Sequence, residues 1–140
     1  MTGPERGHRV VEHTADEILE TWGPTRAACL EEAATGLVEL FAQPRSGAAT
    51  RTCQFTLDAS EGTALLLALL DEIIYLLDAH DSVPAITRIA DLGHRVRVRL
   101  ELVTVDAVEP TGPTPKGVSR SQAHLRRDDG RWTSRALIDV

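Results

Sequence analysis

Arg95-Val96-Arg97-Val98-Arg99-Leu100-Glu101 alternates charged and apolar residues with a period of two. That period belongs to a strand with one face in a core and the other in water, which is the habit of antiparallel sheets. Gly93 marks the bend into this strand, read over residues 94–105. Residues 85–90 read as the strand before it, after a turn at Ser82-Val83-Pro84. The outward row Arg95, Arg97, Arg99 reads as a solvated strand face, with phosphate binding as the alternative.

Upstream, residues 61–79 change period. Leu65, Leu66, Leu67, Leu69, Leu70, Ile73, Ile74, Leu76 and Leu77 leave hardly any polar side, so this helix must be covered by sheet and by a second helix. Ser60 is its expected N-cap. The second helix is read from Gly23-Pro24, with proline at the first helical position, to Pro44. Leu30, Ala33, Ala34, Leu37, Val38 and Phe41 form its apolar face, and Glu31, Glu32 and Glu39 its polar one. Further strands are expected at 8–13, 16–22, 50–58, 117–126 and 131–139, the last two joined at Asp128-Asp129-Gly130. Residues 109–115 read as a proline-rich loop. The order β-β-α-β-α-β-β-β-β predicts one α+β domain over 8–140, a mostly antiparallel sheet with two helices packed on one face. Residues 1–7 are expected to be a flexible tail.

Composition excludes several classes. A chain of 140 residues is long enough to bury ~68% of its unfolded surface without metal or disulfide staples. The net charge of −6 argues against a broad nucleic-acid footprint, so any RNA connection is expected through a partner. The start of the chain has no apolar stretch, and the longest apolar run, residues 64–70, is too short for a bilayer; neither a signal peptide nor membrane association is expected. Cys29 and Cys53 have no metal-ligand spacing and read as thiols of a reducing cytoplasm. Lys116 is the one lysine beside fourteen arginines. It marks either chance or a place that needs a compact ammonium.

Nucleophile, P-loop, dinucleotide and zincin motifs are all missing from the sequence, and the five histidines do not pair at ligand spacing. A site must therefore be assembled from distant segments. His13-Thr14-Ala15-Asp16 is a compact polar cluster at the mouth of a strand, suited to a cation or a phosphate oxygen, or else to a turn. Asp139 either frays with Val140 or is anchored through Ala136 and Ile138. If anchored, its carboxylate and that of Val140 repel unless a cation lies between them. With Asp16 they would offer hard oxygens suited to Ca²⁺ or Mg²⁺.

Three stretches in this order resemble the archease family: His13-Thr14-Ala15-Asp16 with Gly23 after it, Pro115-Lys116-Gly117-Val118-Ser119, and the ending Ile138-Asp139-Val140. The resemblance runs over nearly all of residues 8–140. It departs from the family's usual residues at Glu17, Gly117 and Arg120-Ser121. It implies a non-catalytic cytoplasmic protein that activates RtcB-type RNA ligases in tRNA splicing and RNA repair. Such proteins promote guanylylation of the ligase histidine and multiple turnover. The resemblance also implies that Asp16, Asp139 and Val140 bind a divalent cation, calcium first with magnesium or manganese as alternatives. Lys116 would lie beside them and matter for activation, and a phosphate contact by Lys116 in the ligase complex is a mechanism consistent with that. A chaperone-like modulator of another enzyme and a metal-dependent hydrolase built on Asp16 and Asp139 are the competing readings.

Overall fold

The computed structural model describes residues 5–13, 16–58 and 61–140, with the backbone alone at Glu12 and His13. Strands β1 (Gly7–His13) and β2 (Asp16–Gly23) lead into α1 (Arg26–Glu39), followed by β3 (Ala42–Pro44) and β4 (Arg51–Asp58). After α2 (Gly62–His80) come β5 (Ser82–Asp91), β6 (Arg95–Thr104), β7 (Val108–Pro110), β8 (Gly117–Asp128) and β9 (Arg131–Asp139). Every strand pair is antiparallel, in three ladders ordered β1-β2-β9-β8, β4-β6-β5 and β3-β7. The α+β domain with two helices and antiparallel strands is as expected.

The two larger ladders bury their inner faces against the helices. Val96, Val98 and Leu100 of β6 are fully buried, as are Leu66 and Leu70 of α2 and Leu30 and Leu37 of α1, while Arg95, Arg97 and Arg99 point outward. The alternation along β6 is thus core on one side and solvent on the other. Helix α1 touches β2 and β5, and α2 touches β8, β5 and β4, so one helix layer serves both ladders. A buried polar knot pins the centre. Thr21 of β2 donates to the Cys29 carbonyl of α1 at 3.2 Å and pairs with the Ser134 hydroxyl of β9. Burial pushes the Cys29 thiol up, so it stays protonated and unreactive.

Local details differ from expectation in four places. Pro24 stands outside α1; Thr25 is the N-cap, its hydroxyl accepting from the Ala28 N–H at 3.1 Å. The helix stops at Glu39 rather than Pro44, because residues 42–44 pair with 108–110 as an extra short ladder. Helix α2 is closed by Asp81 in the left-handed region (φ 48°), and β5 starts at once at the buried Ser82, so no turn forms at residues 82–84. The expected N-cap Ser60 lies outside the described residues, and Glu61 occupies the cap position without a side-chain bond. The β8–β9 hairpin turns where expected, with both Asp129 (φ 50°) and Gly130 (φ 79°) at positive φ. No described helix is long and apolar enough to cross a membrane.

Candidate functional site

The strand registers bring the expected site residues to one end of the four-stranded sheet. Asp16 on β2 faces Asp139 on β9, and Asp139 faces Gly117 on β8. His13 on β1 faces Asp16 from the other side. Directly opposed residues of an antiparallel pair have Cα atoms about 4.5–5.5 Å apart, so two carboxylates share one row. Lys116 is tied to the same row through its backbone, its N–H donating to the Asp139 carbonyl at 2.7 Å. Residues more than a hundred positions apart in the chain thus become neighbours because the second strand pairs with the last. Thr14 and Ala15 lie outside the described residues.

The side chains in this row are exposed or half-buried. Lys116 and Asp139 are exposed, Asp16 and Val140 are half-buried, and Val140 packs on the edge of the core. Among the described residues, neither Asp16 nor Asp139 has a side-chain hydrogen bond or an ion pair, and the Lys116 ammonium pairs with no carboxylate. Two facing carboxylates without an internal cation repel. Among the described residues no three His, Cys, Asp or Glu side chains group closely enough to hold a metal. The donor set here is two aspartates plus main-chain oxygen. Hard oxygens without nitrogen or sulfur fit calcium or magnesium and not a soft metal.

Beside them, on the opposite face of β2, Glu17 stands opposite Ile138, and its Oε2 is buried without a hydrogen-bond partner among the described residues. A second polar feature on this sheet escaped the sequence reading. Further along the outer face, Arg9, Glu20, Arg135 and His124 form one row across β1, β2, β9 and β8. The next row holds Gly7, Trp22, Thr133 and Arg126. All of these but Gly7, together with Arg131, line a cleft of about 520 Å³. The signal was present in the period-two spacing of Arg131, Thr133 and Arg135, but which face those residues share depends on pairings that no local pattern specifies.

Known proteins share this architecture and sequence. The chain is 35% identical over 138 residues to a probable protein archease of Mycobacterium tuberculosis, covering 99% of this chain and 77% of that one. It is 24% identical to a protein archease of Pyrobaculum islandicum, with 95% of each covered. A crystal structure of a Thermotoga maritima archease, described as a possible chaperone, matches the fold with a TM-score of 0.68 at 20% identity over 100% of this chain and 98% of that one. The solution structure of Methanobacterium thermoautotrophicum protein 1598 gives 0.68 at 18% identity, covering 96% and 99%. The sequence profile of the Archease protein family (MTH1598/TM1083) matches residues 8–140, and the chain belongs to that family.

Proposed function

We propose that this protein is a non-catalytic activator of an RtcB-type RNA ligase in the cytoplasm, promoting ligase guanylylation and multiple turnover in tRNA splicing and RNA repair. The observation that carries the reading is the row of Asp16, Asp139 and Gly117, with Lys116 tethered to Asp139. It unites the three stretches that carry the resemblance to the family. Asp16, Asp139 and main-chain oxygen at Val140 would hold a divalent cation, calcium in the first place. When bound, the cation would supply a concentrated positive charge for phosphate oxygens.

The chain's own contribution is positioning. Strands β2 and β9 hold the two carboxylates side by side on paired backbone, so they need little ordering when the tip enters a cleft. Lys116 has no carboxylate partner among the described residues and is free to reach a phosphate or an acidic group of the ligase. A guanylylation assay with purified ligase tests the proposal. Asp16→Ala and Lys116→Ala should each lower stimulation at least tenfold while keeping the native fold by circular dichroism. Undiminished stimulation by both variants would overturn it.

A further inference from the structure

We propose that the cleft on the outer face of the β1-β2-β9-β8 sheet is a site for a phosphate monoester, held by Arg126, Arg131 and Arg135. Four arginines line the cleft against one carboxylate, Glu20, in a chain whose net charge is −6. Glu20 is already engaged by Arg9 at 3.1 Å. Arg126, Arg131 and Arg135 have no ion pair among the described residues, although Asp128 is the register partner of Arg131. Three unanswered guanidinium groups around one concavity repel one another. That arrangement is relieved by a compact dianion, and planar guanidinium forks match phosphate oxygens bidentately.

The cleft is large enough for a small ligand. A cleft of about 520 Å³ lies within the ~300–1,000 Å³ range of small-ligand sites. Trp22 lies against Gly7 at one end, so close that a Cβ at Gly7 would stand 2.6 Å from the indole. Only glycine leaves the ring this low over β1. His124 lines the cleft with its Nδ1 buried and without a hydrogen-bond partner among the described residues. Burial first, then the charges of Arg126 and Arg135, hold its pKa below the ordinary histidine value, whereas Glu20 pulls weakly the other way. An anion among these arginines would reverse their effect. Arg135 and Asp139 are four residues apart on β9, about 13 Å along the strand. A phosphorylated molecule bound here would therefore lie on the face that ends at the Asp16–Asp139 row.

The test uses the whole chain without any ligase, so it stands or falls separately from the activator reading. Calorimetry and histidine-ring NMR would be run with inorganic phosphate, adenosine 5′-monophosphate, adenosine, and a short oligoribonucleotide with and without a terminal phosphate. Phosphate-bearing probes should bind, their dephosphorylated counterparts should not, and the His124 resonance should shift with a raised pKa. Arg126→Gln and Arg135→Gln should each weaken binding roughly tenfold, the loss expected for one charge-assisted hydrogen bond. An Arg97→Gln/Arg99→Gln chain, altered on the other sheet, should bind as the native chain does. Tighter binding of the phosphorylated oligonucleotide than of the mononucleotide would identify an RNA end as the ligand, and equal binding a free nucleotide. Equal affinity for adenosine, equal loss in the Arg97/Arg99 variant, or binding of a polyglutamate peptide in place of the phosphates would overturn the proposal.

Discussion

Glu17 is held in poor surroundings for a carboxylate. Its neighbour Asp16 shares the outer face with Asp139, whereas Glu17 points inward beside Ile138, where one carboxylate oxygen is buried without a partner among the described residues. A buried oxygen that has lost water and gained no donor costs more than an apolar group of the same size. Replacing Glu17→Val should therefore raise stability by about 1 kcal/mol, read as a higher urea midpoint at unchanged slope. An unchanged or lower midpoint would show that the oxygen is satisfied in solution. The alternation of β2 makes the two acidic neighbours opposites: one is available to a ligand and the other is a strain on the core. Their chemistry is alike; the family resemblance set Asp16 apart as a ligand and Glu17 as a departure, and the strand register adds the physical reason, since one residue faces Asp139 and the other Ile138.

At the scale of elements, the junctions carry the specificity. Gly23 ends β2 where the chain meets α1, and a Cβ there would lie 2.9 Å from the Cys29 backbone nitrogen and 3.0 Å from the Ala28 Cβ. Because the obstacle includes backbone, Gly23→Ala should cost about 1–3 kcal/mol, seen as a lowered denaturation midpoint. Strand β1 is fastened to α1 by charge. Glu32 accepts from His8 Nδ1 at 2.7 Å and from Arg6 at 2.6 Å, and His8 Nε2 reaches Glu39 at 2.6 Å. Burial opposes ionisation of both groups. The hydrogen bonds outweigh it, so Glu32 sits below its ordinary value of 4.5 and His8 above its ordinary 6.5.

The sign of each contribution follows. Glu32 stabilises fully above 4.5, and this is lost as pH falls through its lower folded value. His8 stabilises fully below 6.5, and this is lost as pH rises through its higher folded value. The tether is complete between those limits. Urea midpoints measured against pH should decline above 6.5 in the native chain, and His8→Gln should flatten that alkaline decline. An alkaline slope identical in both proteins would assign it to other groups.

Across the whole molecule, legibility followed locality. The β6 ladder, the all-round apolar α2 and the β8–β9 turn were readable because period two, period 3.6 and an Asp-Gly turn are written in adjacent residues. The β3–β7 ladder was not, since three-residue strands carry too little pattern and exist only through each other. Of the tip, the individual residues Asp16, Lys116, Asp139 and Val140 were nameable. Their adjacency follows from β9 pairing with both β2 and β8. The basic cleft was missed for the same reason in reverse, because its arginines look solvated until the sheet gathers them.

That topology makes the proposed cation a link between the early and late parts of the chain. Asp16 and Asp139 belong to strands whose pairing joins residues more than a hundred positions apart, and unfolding would separate them. A cation that binds only the folded arrangement must then raise global stability by RT ln(1 + [L]/Kd), about 2.7 kcal/mol at a hundredfold excess over Kd. For a domain of this size that is a rise in Tm of roughly 8 °C. The rise should saturate with calcium, reverse with chelator and vanish in Asp16→Asn, whereas Arg135→Gln, on the same face but four residues away from Asp139, should keep it. A calcium-dependent Tm that survives Asp16→Asn would place the cation elsewhere on the molecule. No calcium dependence in the native chain would remove the resident cation from the proposed function and leave Lys116 and the paired carboxylates to act on the ligase directly.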